Sequence, residues 1–246
     1  MAPTEDRWVI VSGAGGALGR GLVSHFAGKG HPVLALDRAI DSGTTQHPQT
    51  VIRSLDLTDE AELRKALTEC IPATASIALL VNAVGLIWNE PTLSFKGAKL
   101  VTHGLQSWRN VIEANLTAPF VVAAQVAARM ARRGGGSIVN FSSIASDGNA
   151  GQAAYSAAKA GIEGLTKTMA IELGPLGVRV NALALGFIDV ATTREAVADE
   201  RLQGYAQKTP VGRLGQLDDI VSAIEFLAAN GFANGTVVKL DGGLRL

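Results

Sequence analysis

The sequence predicts an α/β fold in which helices cover both faces of a doubly wound, seven-stranded parallel sheet. Along the 246-residue chain, short apolar runs rich in β-branched residues alternate with longer segments of helical periodicity. The short runs are almost continuously apolar, as expected for parallel strands that are buried on both faces. A glycine-rich segment, residues 12–19, joins the first run to the first helical segment, at the kind of junction where such sheets bind ligands.

Seven strands and five helices account for most of the chain. The strands are predicted at residues 8–11, 33–36, 51–55, 77–81, 137–141, 179–182 and 237–240. The helices are predicted at residues 18–28, 60–70, 107–132, 153–173 and 217–229. Thr58 and Glu60 indicate a helix start with an acid in its first turn, and Gly174-Pro175 ends the fourth helix. No repeat, low-complexity tract or linker divides residues 1–246, so a single domain is expected.

Two segments, residues 86–106 and 186–215, are long for connections inside a compact domain. Both follow strand ends, where open α/β sheets bind ligands. We expect them to be substrate-side loops, forming a pocket wall and a lid, rather than only variable surface loops.

The composition argues against several function classes. The 22 basic and 22 acidic side chains give a formal net charge of zero, which offers no electrostatic attraction to nucleic acid or anionic membrane. Cys70 is the only cysteine and the four histidines show no ligand spacing, so neither a disulfide nor a metal site is expected. No signal peptide is visible, and no run reaches the roughly 18 apolar residues of a membrane span; residues 117–131 come nearest. A cytoplasmic protein is expected.

Tyr155 and Lys159 are four residues apart in a predicted helix and therefore share one face of it. A free phenol titrates near pH 10, but one positive charge at about 4 Å is worth up to about 4 kcal/mol at an effective dielectric of about 20. That would bring the phenol pKa to about 7, in the range for general acid–base work. The pair alone is equally compatible with a helix whose tyrosine packs and whose lysine reaches water.

The first strand–helix junction suits the pyrophosphate of a dinucleotide. Its glycines permit a tight turn and a close approach of the backbone, and the helix N-terminus offers free N–H groups. The second strand ends in Asp37, in the position from which an acid hydrogen-bonds an adenosine ribose. The Asp37 carboxylate would repel a 2′-phosphate, which favours NAD over NADP, although the neighbouring Arg38 could accept that phosphate.

Asp56 and Leu57 follow the third strand and are candidates to contact the adenine ring. Asp56 could equally cap the helix that begins near Asp59.

The order of these motifs resembles the short-chain dehydrogenase/reductase family over essentially the whole chain, from Arg7 to Asp241-Gly242-Gly243. The resemblance implies a Rossmann-like fold, with Tyr155 as the acid–base and Lys159 as the residue that lowers its pKa and holds the nicotinamide ribose. It also implies that a serine binds the substrate oxygen and that Asn115 supports a proton relay. The cofactor-binding positions that it implies are Gly13, Gly16, Ala17, Leu18, Gly19, Asp37, Asp56, Leu57, Asn82, Ala83, Tyr155, Lys159 and Ile188.

The chain departs from the family pattern at several positions. Ala17 stands where the family usually has glycine, and the bulkier Val84 stands near the cofactor. Leu185 replaces the usual proline before Gly186, and Val190 replaces a threonine. The last change puts one pyrophosphate contact in doubt, although Thr192 or Thr193 could replace it.

Two serines compete for the catalytic position. The strand alignment, Ser137-Ile-Val-Asn-Phe-Ser-Ser143, selects Ser143, whereas counting back thirteen positions from Tyr155 selects Ser142. Side chains alternate along a strand, so only one hydroxyl should face the pocket. We favour Ser143 because strand register is stiffer than loop length.

The main hypothesis is an oxidoreductase that interconverts a secondary alcohol and a ketone with NAD(H), without a metal. The runner-up is a 3-oxoacyl-thioester reductase that uses NADPH, and a third hypothesis is a regulatory nucleotide-binding protein without turnover. A steroid, acyl or alicyclic substrate could contact apolar residues of the 86–106 segment, unless these only cover the sheet edge: Leu86, Ile87, Trp88, Leu93, Phe95, Leu100 and Val101. The resemblance also implies that the helices at 107–132 and 153–173 pair across subunits into a homodimer or homotetramer.

Overall fold

A parallel sheet of seven strands forms the centre of the described part of the chain, which in this computed structural model comprises residues 7–40, 47–190 and 199–245. For residues 199–201 the backbone alone is described. In chain order the strands are β1 (Arg7–Ser12), β2 (Val33–Asp37), β3 (Thr50–Ser54), β4 (Ser76–Asn82), β5 (Leu93–Lys96), β6 (Lys99–Thr102), β7 (Gly136–Ser143), β8 (Val178–Leu185) and β9 (Val237–Leu240). Strands β5 and β6 pair only with each other, as an antiparallel hairpin.

The helices are α1 (Ala17–Gly28), α2 (Glu60–Cys70), α3 (Leu105–Ile112), α4 (Ala118–Ala131), α5 (Ala153–Leu173), α6 (Asp199–Lys208) and α7 (Leu217–Ala229). They lie on both faces of the sheet, which confirms the predicted fold class. In β1, Trp8 and Ile10 pack into the apolar layer beneath α2, α4 and α5, whereas Val9 and Val11 pack beneath α1 and α7. Burial on both faces explains why the strand sequences are almost wholly apolar.

The strand order β3-β2-β1-β4-β7-β8-β9 reverses direction between β1 and β4. The strands that follow β1 extend to one side, and the strands from β4 onward extend to the other. At such a point the loops after the two central strands diverge and leave a crevice at their carboxyl ends. The loops after β1 and β4 therefore bound the place where a ligand site is expected.

The helix predicted at residues 107–132 is divided by a π-helical turn, Glu113–Thr117, between α3 and α4. Pro119 has no N–H and cannot donate to the carbonyl of Asn115 four residues earlier, so the regular pattern breaks at this point. A single π turn inserts one residue, which hydrophobic periodicity does not reveal. The whole stretch Leu105–Ala131, 27 residues, has the length and composition of a membrane span, but half of its apolar window is buried here, as in a core helix.

A row of buried polar side chains, the polar chain, crosses the sheet near the carboxyl ends of its central strands. Ser12 donates to Asn82 at 2.8 Å, Asn82 donates to Asn140 at 2.9 Å, and Asn140 donates to Thr166 at 3.0 Å. All four residues are buried. Because Thr166 belongs to α5, the polar chain ties β1, β4 and β7 to that helix.

Candidate active site

A cleft of about 890 Å³ opens at the carboxyl ends of β1, β4, β7 and β8. The glycine loop after β1, the segment after β4 and the start of α5 supply its walls. A second, adjoining cavity of about 440 Å³ continues from the glycine loop toward the ends of β2 and β3. The two cavities together lie where the sheet topology predicts a ligand site.

The glycine loop is shaped by close contacts that side chains would prevent. Gly13 has a φ of +74°, and a Cβ there would lie 2.4 Å from the backbone nitrogen of Val84. A Cβ on Gly19 would lie 2.0 Å from the carbonyl oxygen of Gly13. The N-cap of α1 is Gly16, which provides no side-chain hydrogen bond, so the first N–H groups of that helix lack a capping acceptor. Ala17 and Leu18 line the cleft beside them.

Asp37 lines the smaller cavity, where backbone donors hold its carboxylate. Its carboxylate accepts from the N–H of Gly15 at 2.9 Å and from the N–H of Ala39 at 3.0 Å. These bonds leave carboxylate lone pairs free to accept from a ligand hydroxyl. Arg38 lines the same 440 Å³ cavity, so both residues weighed for cofactor choice lie there.

Asp56 and Leu57 also line this smaller cavity. Asp56 accepts from the N–H and the hydroxyl of Thr58 at 2.9 and 2.7 Å, and these bonds lower the pKa of its carboxyl. The N-cap of α2 is Asp59, which accepts from Ala61 and Glu62. The alternative that Asp56 caps the helix is therefore wrong.

Tyr155 and Ser143 line the 890 Å³ cleft together, with the Ser143 hydroxyl close enough to lower the pKa of the phenol. Ser143 ends β7, and its oxygen also accepts from the N–H of Ala145 at 3.1 Å, which fixes the turn that follows. Ser142 points the other way: its hydroxyl is buried against α5, with Glu163 at 2.9 Å and the carbonyl of Lys159 at 3.1 Å. The alternation of side chains along β7 thus brings Ser143, and not Ser142, to Tyr155.

Lys159 lies behind Tyr155, with its ammonium 5.6 Å from the centre of the phenol ring. The ammonium donates to the carbonyl of Phe141 at 2.8 Å, and burial lowers its pKa to about 8. Burial raises the pKa of Tyr155, and the hydrogen bond with Ser143 only partly opposes this. Desolvation of the phenol outweighs the distant charge here, so its net pKa is raised, and the lowering contribution of Lys159 stays a prediction.

Asn115 lies in the π turn and is hydrogen-bonded to the segment after β4. Its side chain accepts from the N–H of Leu86 at 3.2 Å and donates to the carbonyl of Leu86 at 2.8 Å. It also donates to the carbonyl of Val111 at 2.9 Å, within its own helix. A Cβ on Gly85 would lie 2.9 Å from the Asn115 oxygen and 3.5 Å from the Lys159 nitrogen. Glycine at this position therefore allows Asn115 and Lys159 to approach the same stretch of backbone.

The remaining predicted cofactor residues divide into two groups. Ala83 and Ile188 line the cleft, as does Val190. The Asn82 side chain is instead directed into the polar chain and also donates to the carbonyl of Pro119 at 3.1 Å. Thr192 and Thr193 lie outside the described residues.

The long segment after β4 contributes its first residues to the cleft, Leu86, Ile87 and Asn89. Farther along, the β5–β6 hairpin projects outward, with Phe95 74% and Leu100 59% exposed, so its apolar side chains do not line the cleft. Glu90 anchors this segment, accepting from Trp88 at 2.9 Å and from the N–H of Gly104 at 2.8 Å.

The second long segment brings two aromatic rings to the cleft. Phe187, after β8, stacks on Tyr205 of α6 with ring centres 3.8 Å apart. This pair was not predicted from the sequence, nor were three amide residues that also line the cleft, Asn89, Asn149 and Gln152. Gln152 could have been found, because it directly precedes the predicted helix start at residue 153 and is the N-cap of the helix that carries Tyr155. No sequence signal marks the other two.

Known proteins match this chain over nearly its whole length. A family model described as enoyl-(acyl carrier protein) reductase matches residues 13–245. The short-chain reductase protein NovJ of Streptomyces niveus is 34% identical over 262 residues, which cover 99% of this chain and 95% of that protein. The 3-oxoacyl-[acyl-carrier-protein] reductase FabG of Thermotoga maritima is 31% identical, with 98% of each chain covered.

Among solved structures, 3-hydroxyacyl-CoA dehydrogenase type-2 from Mycobacterium avium superposes with a TM-score of 0.87 at 30% identity. The match covers 98% of this chain and 96% of that one. The matched length and the shared sheet agree with the glycine loop and the Ser143, Tyr155 and Lys159 arrangement described above. This chain belongs to the short-chain dehydrogenase/reductase family of oxidoreductases.

Proposed function

We propose that this protein interconverts a secondary alcohol and a ketone with NAD(H). The observation that carries the proposal is that Ser143, Tyr155 and Lys159 line one cleft together with the glycine loop. Two hydroxyls at one point can bind a carbonyl or alcohol oxygen, and one of them can exchange a proton with it.

Each residue has a distinct part in the proposed reaction. Tyr155 has a raised pKa and is protonated at neutral pH, so it acts as the acid when a carbonyl oxygen gains negative charge. Ser143 holds that oxygen by hydrogen bond. Lys159, the one cation among the described residues of the cleft, favours the phenolate that remains after the proton has left.

The glycine loop fits a dinucleotide. The uncapped N–H groups at the start of α1 can donate to phosphate oxygens, and the loop has no side chain that would block them. Asp37 and Leu57 would hold the adenosine end, and Ala83, Lys159 and Ile188 the nicotinamide end. A bound nicotinamide supplies the two-electron chemistry that none of these side chains can perform.

Asp37 is the basis for proposing NAD rather than NADP. A unit charge about 5 Å from a phosphate is disfavoured by about 3 kcal/mol at an effective dielectric of about 20, which corresponds to about a hundredfold in affinity. We expect the protein to bind NADH at least about tenfold more tightly than NADPH, because Arg38 offsets part of this repulsion.

A fluorescence titration with both nucleotides tests this choice. The variant Asp37→Ser should bind NADPH more tightly and NADH more weakly than the wild type. Asp218→Ser, which removes an exposed acid of α7 far from both cavities, is the matched control and should change neither affinity. Tight NADPH and weak NADH binding by the wild type would overturn the choice of NAD.

Turnover is tested with a panel of ketones and alcohols, followed by the absorbance of NADH. We expect Tyr155→Phe to lose about 10² to 10⁴-fold in kcat while retaining nucleotide affinity, because the substitution removes the proton donor and keeps the ring. Near-normal turnover by Tyr155→Phe would contradict the mechanism. Nucleotide binding by the wild type without turnover on any member of the panel would favour a regulatory role.

A 3-oxoacyl-thioester reductase that uses NADPH is the second candidate. It is favoured by the name of the Thermotoga relative and by the position of Arg38 in the smaller cavity. Turnover of acetoacetyl-CoA with NADPH, at a higher kcat/KM than any simple ketone gives with NADH, would select it.

A further inference from the structure

The β5–β6 hairpin has an apolar side, here called the hairpin face, that is exposed to solvent. In the antiparallel register Phe95 pairs with Leu100 and Leu93 pairs with Thr102, so these four side chains lie on the same side of the hairpin. All four are exposed, and Leu93, the least exposed of the three apolar ones, is 54% exposed. The hairpin face therefore consists of three large apolar side chains and one hydroxyl.

The opposite side of the hairpin has a different character. Ser94 and its partner Val101 are half-buried there, so the middle of this side is turned toward the rest of the protein. At the tip the same side carries Lys96 and Lys99, and both are exposed. The two cations therefore point away from the hairpin face, which is itself uncharged.

A hairpin of this size depends on a second surface for its stability. Two strands of four residues each are marginally stable in water unless another element covers their apolar side. Glu90 holds the hairpin only at its base, where its carboxylate accepts from Gly104 at 2.8 Å and lies 3.2 Å from His103. Beyond this base the apolar side chains are exposed to water, so their burial would stabilise the hairpin.

The apolar surface continues from the hairpin into α3. The ring of Trp108 lies 6.2 Å from that of His103, which follows β6, and Trp108 and Leu105 are 37% and 62% exposed. At about 200 Å² for a whole large side chain, these two residues and the three apolar residues of the hairpin face expose roughly 550 Å² per copy. Two copies would bury roughly 1,100 Å² between them, which reaches the size of a specific protein–protein interface.

The chemistry of the hairpin face fits a second copy of itself. Because its side chains are uncharged, two copies meet without burying a charge or bringing like charges together. An anionic membrane fits less well, since Lys96 and Lys99 point away from the surface that the apolar side chains would enter. Pairing of strand edges also fits less well, because one lysine ends β5 and the other begins β6.

We propose that the hairpin face packs against the hairpin face of a second copy of this chain about a two-fold axis. Such a contact uses the same patch on both chains. The hairpin lies outside the long helices for which pairing is predicted, so the contact adds to that pairing. The proposal is independent of the reaction that the cleft performs.

Sedimentation of the full-length protein over a concentration series tests the contact. We expect Phe95→Glu to raise the dissociation constant of the assembly at least about a hundredfold, because the substitution places an unpaired charge in an apolar contact. Lys96→Glu adds the same acid at the next residue, on the opposite side of the hairpin, and should leave the dissociation constant unchanged. An unchanged dissociation constant for Phe95→Glu, or a wild-type monomer at micromolar concentration, would overturn the proposal.

Cross-linking provides a second test that does not depend on the stability of a charged variant. Cys70→Ser removes the one native thiol, so Phe95→Cys or Lys96→Cys in that background carries a single thiol on a known side of the hairpin. A flexible bismaleimide should link two copies of the Phe95→Cys protein at least about tenfold faster than two copies of the Lys96→Cys protein. Equal rates would refute the two-fold contact.

A vesicle experiment distinguishes the alternative occupant. Wild-type protein is sedimented with vesicles of phosphatidylcholine and phosphatidylglycerol, and we expect it to stay in the supernatant. Vesicle binding that Phe95→Glu abolishes, with the same assembly in both proteins, would assign the hairpin face to lipid and overturn the proposal.

Discussion

Two neighbouring hydroxyls at the end of β7 differ in what they contact, although their chemistry is identical. Ser143 meets Tyr155 in the cleft, while Ser142 is buried between Glu163 and the backbone of α5. The same substitution at the two positions therefore separates a contribution to catalysis from a contribution to folding.

We expect Ser143→Ala to lower kcat by about 10² to 10³-fold with little change in the free energy of unfolding. Ser142→Ala should instead destabilise the protein by about 1–2 kcal/mol, because it removes the hydroxyl that bonds Glu163. Its kcat should stay within a few-fold of the wild type. Steady-state kinetics and urea denaturation of both variants measure these effects. A larger loss of kcat in Ser142→Ala would reverse the assignment of the catalytic serine.

Lys159 shows that a residue can serve activity at the expense of stability. Its folded-state pKa of about 8 lies below the usual value of 10.5, so between these values the unfolded chain binds more protons than the folded one. The free energy of unfolding attributable to this residue therefore rises as pH increases from about 8 toward 10.5. At pH 7 the buried ammonium is charged and destabilises the fold.

We expect Lys159→Met to be inactive and yet more stable than the wild type at pH 7, by on the order of 2–3 kcal/mol. The rise in wild-type stability between pH 8 and pH 10 should be smaller in this variant. Chemical denaturation across that pH range measures both effects. In the wild type, kcat/KM for ketone reduction should fall as pH rises through about 8 and Lys159 loses its charge. A less stable Lys159→Met at pH 7 would contradict this account.

At the scale of elements, Glu90 connects the cleft to the hairpin. Its carboxylate accepts from Trp88 and Gly104 and lies 3.2 Å from His103, so it joins the two ends of the segment that contains β5 and β6. The hydrogen bond from Trp88 is the largest of the contacts that lower the pKa of Glu90, to about 2. The neighbouring Asn89 lines the cleft, so the anchor also holds part of the cleft wall.

We expect Glu90→Gln to increase amide hydrogen exchange in β5 and β6 at pH 7, because a neutral amide is a weaker acceptor than a carboxylate. The wild type should show the same change as pH falls below about 4.5 toward 2, since a carboxyl with a depressed pKa stabilises the fold only while it is ionised. Glu62→Gln, on the exposed face of α2, is the control and should not alter exchange in the hairpin. Unchanged protection in Glu90→Gln would exclude the anchoring role.

The sequence predicted some elements to the residue and missed others for identifiable reasons. Helices α2, α5 and α7 have the predicted bounds because their caps and apolar spacing agree. The hairpin was missed although Gly97, with a φ of +62°, supplies its turn, because its strands have only four residues each. The choice of Ser143 over Ser142 followed from strand register, whereas the raised pKa of Tyr155 depends on burial, which the spacing between two residues does not reveal.

At the scale of the whole molecule, large apolar side chains remain exposed on the helix surfaces that point away from the sheet. Ile171 of α5 is 78% exposed, and Phe120 of α4 is 49% exposed. Burial of such side chains between copies of the chain would remove apolar surface from water. The pairing of subunits through the long helices stays a prediction.

We expect the protein to sediment as a dimer or tetramer at micromolar concentration. Ile171→Glu should shift this equilibrium toward smaller species, because a charge would then be buried in the subunit contact. Lys96→Glu, at an exposed position of the β5–β6 hairpin, controls for the added acid. A wild-type monomer at micromolar concentration would contradict the prediction.

The polar chain specifies the register of the central strands, which their apolar side chains alone do not specify. A strand that is apolar on both faces can slide past its neighbour and still bury every side chain, so hydrophobic contact alone does not define the pairing. A shift of β4 or β7 by one residue would separate Asn82 from Asn140 and leave buried amides without partners, at about 1–3 kcal/mol each. The row of polar groups therefore fixes one register in which β1, β4 and β7 pair. Because the row ends on α5, the same strand register also sets the distance between the glycine loop and Tyr155.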